Sequence, residues 1–121
     1  MEERLYTKEH IWILPQAEKV LIGITDYAQG KLGNVVFVNL PDLGDEMEKG
    51  EAFGDIESVK TVSDLIAPFS GKITDVNEAV IDSPELINED AAEAWLIAAD
   101  IPTRYEDVMT ESEYKDYLQQ L

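Results

Sequence analysis

Short apolar runs separated by turn formers dominate the first hundred positions. Ile11 to Leu14 is one such run, ended by Pro15, and Val20 to Ile24 is another. Runs of this kind read as β-strands. Val35 to Leu40 is almost continuously apolar, which predicts a strand buried on both faces. Pro41-Asp-Leu-Gly44 and Glu48-Lys-Gly50 carry the residues of turns. Thr25 can N-cap a short helix over Asp26 to Leu32, with an acid in its first turn and Gly33 at its end. Gly30 weakens that helix. Ile56, Val59 and Val62 suit a β-hairpin with Ser58 to Thr61 at its tip.

The pattern changes after residue 100. Pro102 to Met109 reads as a connector with partial helix. Thr110-Glu-Ser-Glu113 is a capping box. Tyr114, Tyr117, Leu118 and Leu121 follow at i, i+3, i+4 and i+7, one apolar stripe. That stripe predicts a helix docked on the strands rather than one that recognises a partner. A weak repeat links the two ends of the strand region. Gly33-Asn-Val-Val-Phe-Val-Asn39 and Gly71-Lys-Ile-Thr-Asp-Val-Asn77 share Gly, an aliphatic, Val and Asn at matching positions.

Composition narrows the class. A chain of 121 residues, 45% hydrophobic, is expected to form one domain with a modest core. It has no Cys and one His, so a disulfide framework, a thiolate metal site and a multi-His metal site are excluded. No apolar run reaches the length of a membrane span. The start, Met1-Glu-Glu-Arg, is not a signal peptide and is too acidic for a transit peptide. A cytoplasmic bacterial protein is therefore expected, with a processed organellar chain as the alternative. Net charge is −17, from 9 bases and 26 acids. Nucleic acid and anionic membrane both need a basic face, so neither is expected as a partner. The acids suit solubility, and they suit steering onto the basic rims of larger enzymes.

The candidate chemistry centres on Lys60. It stands in Asp55-Ile-Glu-Ser-Val-Lys-Thr-Val-Ser-Asp64, at the expected hairpin tip, where a lysine is exposed and available. Ala67-Pro-Phe-Ser-Gly71 follows, with Gly71 eleven residues after the lysine. Together with Glu57, Ser58 and Val59 this resembles the lipoyl-attachment hairpin of the glycine cleavage system H protein family. The likeness continues in Tyr6-Thr-Lys-Glu-His-Ile-Trp12, in Val20 to Gln29, in Leu32 to Pro41 and in Ser83-Pro-Glu-Leu-Ile-Asn88. Biotin attachment is the nearest rival for a hairpin lysine. Biotin carriers usually flank it with methionines, whereas Val59 and Thr61 flank Lys60.

The resemblance implies a mainly β protein, a flattened β-barrel of the lipoyl or biotinyl type (a barrel-sandwich hybrid). The barrel would span about residues 6–101 and a C-terminal helical segment about 103–121. It implies a carrier rather than an enzyme, with lipoic acid joined to Lys60 as an amide. The implied partners are glycine decarboxylase (P protein), aminomethyltransferase (T protein), dihydrolipoyl dehydrogenase (L protein) and the lipoate ligase or lipoyl transferase that modifies the lysine. It also implies a cleft for the aminomethyl-bearing arm, to which Asp64, Ser63, Glu9 and Leu32 are assigned.

The chain departs from the family pattern in two places. The family's His-Glu-Trp motif reads His10-Ile11-Trp12, so one acid is missing. Glu9 is two residues before Ile11 and would share its face if the strand began there. Ala91-Ala-Glu-Ala-Trp95 lacks the glycines that the family usually has before this Trp. These departures keep two alternatives open: a divergent H-like protein used for lipoate relay or a redox or modification system, and a non-lipoylated interaction protein on the same scaffold. His10 is expected to make a structural hydrogen bond, and Trp12 and Trp95 to pack in the core.

Overall fold

The computed structural model describes residues 3–121. Six strands form one antiparallel sheet, in the order β1 (Leu5–Tyr6), β2 (Ile11–Pro15), β3 (Val20–Ile24), β9 (Ile97–Ala99), β8 (Gly71–Val76), β5 (Glu46–Met47). Three more, β4 (Val35–Asn39), β6 (Ala52–Ser58) and β7 (Val62–Ile66), form the second sheet in the order β4-β6-β7. Ile13, Ile22 and Ile73 of the first sheet and Val38, Ile56 and Leu65 of the second share one core. Full burial of each such side chain stabilises the fold by roughly 1.5–3 kcal/mol. The fold is thus the mainly β, two-sheet flattened barrel that the apolar runs and the resemblance predict. The two repeated segments supply β4 and β8, one to each sheet.

Trp12 shows how tightly the first sheet packs. It pairs with Gly23, and a Cβ at Gly23 would fall 2.5 Å from the indole. The ring is buried, its Nε1 donates to the Ala91 carbonyl at 3.0 Å, and the Arg4 guanidinium lies 4.2 Å above it. It packs within the fold, as expected. Trp95 is half-buried, and its carbonyl accepts from Asn77 Nδ2.

The continuous apolar run that became β4 is not buried on both faces. β4 is an edge strand, and the register shifts between Val35 and Phe37. That bulge turns two successive side chains outward, so Val36 is 53% and Phe37 47% exposed. Two one-turn helices were not expected from sequence, α2 (Glu78–Asp82) and α3 (Leu86–Glu89). Both are too short to show a helical period.

Thr25 caps α1 (Asp26–Leu32) as expected, its Oγ1 accepting from the Ala28 amide at 3.2 Å. Thr110 and Glu113 form the expected capping box of α4 (Glu111–Gln119). α4 docks through Tyr114, which is buried and stacked on Tyr6 at 4.8 Å between ring centroids. The stripe is shorter than its spacing suggests. Leu121 lies past the end of the helix and is 62% exposed. The connector before α4 contains no helix. It is an irregular strap that bends at Thr103 and Asp107, held by the Tyr6–Met109 bridge, by Tyr105 against Phe69 and by a 2.7 Å ion pair from Lys49 to Asp107.

Candidate functional site

β6 and β7 make the hairpin that carries Lys60. Its four-residue tip is closed by the Ser58 amide, which donates to the Thr61 carbonyl at 2.8 Å. The Ser58 hydroxyl oxygen accepts from the amides of Lys60 and Thr61, both at 3.1 Å. A serine at the first position of such a turn satisfies donors that would otherwise face outward. The Val59 amide donates to the Asn34 carbonyl at 3.1 Å, tying the tip to the segment that follows α1. Lys60 is exposed at this fixed tip, and the Val59 side chain beside it is 66% exposed. On the outer face Glu57 sits between Phe37 and Val62, its partners in the neighbouring strands.

A cleft of about 410 Å³ runs from the tip along β7, between that strand, α1 and the turn before β2. The sequence-assigned residues Asp64, Ser63, Glu9 and Leu32 all line it. Apolar walls come from Ile24, Leu32, Val62 and Leu65. Thr61, directly after the lysine, and Leu32, at the end of α1, stand at the end nearest Lys60.

Glu9 reaches the cleft by a different route from the one its spacing suggested. β2 begins only at Ile11, and residues 8–10 form a turn in which His10 takes φ 67°. Strand alternation therefore does not align Glu9 with Ile11. The turn carries Glu9 to the rim, while Ile11 lies beneath, 1% exposed in the core. Sequence reasoning missed Lys31, Tyr27 and Ala28, which also line the cleft. Their signal was available, because Tyr27, Ala28, Lys31 and Leu32 are spaced to share one face of α1. Lys31 brings a positive charge into a cleft whose acids are Asp64 and Glu9. Among the described residues no ion pair joins it to either.

His10 makes the structural hydrogen bond expected of it. Its Nδ1 lies 2.8 Å from the Tyr114 hydroxyl, which in turn lies 2.8 Å from Thr25 Oγ1. The ring also packs on Tyr27 at 4.7 Å between centroids. Burial pushes the imidazole pKa down, against a smaller upward pull from Glu9. Its Nδ1 and its ring face are both taken up by contacts within the fold.

This arrangement can hold a long apolar arm that starts at an exposed amine and bends back along an acid-rimmed groove. Comparison with known proteins shows the family. A sequence model described as glycine cleavage H-protein matches residues 4–121. The chain belongs to the glycine cleavage H-protein family. It is similar to the glycine cleavage system H protein of Herpetosiphon aurantiacus, at 49% identity over 96% of this chain and 91% of that one. It is equally similar, at 49%, to that of Halalkalibacterium halodurans, over 96% and 93%. Its fold matches the crystal structure of a glycine cleavage system H protein from Mycobacterium marinum with TM-score 0.89, 44% identity and 96% of each chain covered.

Proposed function

We propose that this chain is the lipoyl carrier of a glycine cleavage system, a cytoplasmic one-domain component that catalyses no step itself. In this reading Lys60 holds lipoate through an amide, and the aminomethyl group of glycine travels on that arm. Its partners are then glycine decarboxylase, aminomethyltransferase, dihydrolipoyl dehydrogenase and the ligase or transferase that attaches lipoate. The observation that carries the reading is the exposed lysine on a rigid tip, at one end of a cleft that is apolar along its walls and acidic at its rim. Those residues fit the group: an amine free to be acylated, and a groove suited to an alkyl chain.

Bound lipoate would supply a sulfur pair that takes up and releases cargo and electrons. The chain's own residues do the rest. Ser58 fixes the pivot, and the buried side chains of Leu65 and Leu32 give the arm an apolar wall. Asp64 is the main acid able to face a protonated amine, with Glu9 on the rim as an assistant. Among the described residues no helix is long and apolar enough to cross a membrane.

The test is modification of the apoprotein by a lipoate ligase with lipoate and ATP, followed by intact mass and peptide mapping. One lipoyl group on Lys60 is expected, and none on Lys60→Arg. Modification that persists in Lys60→Arg would overturn the assignment. Glycine decarboxylation reconstituted with the three partner enzymes then tests the pathway itself.

A further inference from the structure

Gly33 has two unusual properties at once. It ends α1 with φ 79° and ψ −156°, a conformation that is essentially restricted to glycine. It also lies under the Lys60 side chain. A Cβ at Gly33 would fall 3.1 Å from Lys60 Cε, closer than side-chain atoms usually come, and 3.7 Å from Cδ, an ordinary contact distance. The lysine stem therefore rests on bare backbone, and the chain neighbours of these two residues, Leu32 and Thr61, line the cleft.

That backbone is clamped from the far side. Asn88 of α3 donates from Nδ2 to the Gly33 carbonyl at 2.8 Å and to Gln29 Oε1 at 3.0 Å. Its Oδ1 accepts from the Val35 amide at 2.8 Å. The Asn34 carbonyl between these residues holds the hairpin tip through Val59. One asparagine side chain thus fixes the three-residue seat on which the hairpin and the lysine stem both lie.

We infer that Gly33 is the track that turns the Lys60 arm from the tip into the cleft, and that Asn88 is the positioning residue that holds this track. The contact with the stem belongs to the unmodified protein; its extension to a lipoyl arm rests on the carrier reading above. The two parts are tested separately.

The first test is a double-mutant cycle in unmodified protein with Gly33→Ala and Lys60→Ala, read by urea unfolding. Backbone strain at residue 33 is the same in both backgrounds, so it cancels. The alanine should lower the folding equilibrium constant by a factor roughly threefold or more smaller when the lysine stem is absent. Additive effects would overturn the contact. The second test uses lipoylated protein, reduced with a phosphine, and measures the rate at which iodoacetamide alkylates the two thiols. Gly33→Ala and Asn88→Ala should each speed alkylation several-fold. Asn88→Asp, which keeps the acceptor for the Val35 amide, should fall between Asn88→Ala and wild type. Equal rates in all four proteins would overturn the track. If Gly33→Ala does not fold, the Asn88 series decides. If wild type takes up no lipoate, the carrier reading fails, and the inference stands or falls on the cycle alone.

Discussion

Ile11 stands where the resemblance implies an acid, and its burial shows what restoring one would cost. The side chain is 1% exposed and packs in the core beneath the cleft. Ile11→Glu would place a carboxylate where water is excluded. It should destabilise the fold by about 2 kcal/mol or more, measured by urea unfolding, unless the new acid finds a cation. Asp64 needs no such compromise, because it is exposed at the cleft. Asp64→Asn should therefore speed loss of a loaded amine to water more than Glu9→Gln does, in a direct measurement of adduct breakdown. His10 gives a separate pH signature. Its pKa is lowered in the folded state, so the unfolded chain binds protons more readily. Stability from this group is present above its ordinary value of about 6.5 and is lost as pH falls through the depressed folded value. Asn tolerates the positive φ at this position, so His10→Asn should lessen the fall in melting temperature as the pH drops below about 6.5. The exposed place of Lys60 and the shared cleft of Asp64, Ser63 and Leu32 match the expectation, because their motifs lie within short stretches of chain. Asn88 was not legible as a clamp, because its partners Gln29, Gly33 and Val35 are more than fifty residues away.

At the level of elements, legibility followed local chemistry. α1 and the start of α4 appear where Thr25 and Thr110 cap them, because capping is decided within one turn. The run at Val35 misled because hydrophobicity alone does not distinguish a central strand from a bulged edge. The Pro102–Met109 strap misled in the opposite sense: its conformation is set by distant partners, Tyr6 and Lys49. One hydroxyl joins elements far apart in sequence. Tyr114 Oη of α4 bridges His10 and Thr25, and Thr25 caps the helix that walls the cleft. Tyr114→Phe keeps the stacking on Tyr6 but leaves His10 Nδ1 without its partner and Thr25 Oγ1 with the Ala28 amide alone. It should cost about 1–3 kcal/mol and raise hydrogen exchange at the Ala28 amide, detectable by mass spectrometry.

For the whole molecule, charge is the property that partners meet first. Residues 81–121 hold 11 acids against Arg104 and Lys115, so the tail is more acidic per residue than the rest. Association with a basic-rimmed enzyme should slow markedly as ionic strength rises, read by stopped-flow binding at several salt concentrations. An unchanged association rate would remove steering from the account. The tip anchor has a further consequence at this scale. Because Ser58 and the Val59–Asn34 bond hold the loop itself still, only the side chain beyond Lys60 swings. In the carrier reading proposed above, the cargo then stays within a fixed maximum reach of a fixed point. Its effective concentration at a docked partner is set by the length of one side chain and its attached group, and not by loop fluctuations. Lengthening the tip by inserted glycines should lower turnover with every partner by a similar factor, since each meets the same tether.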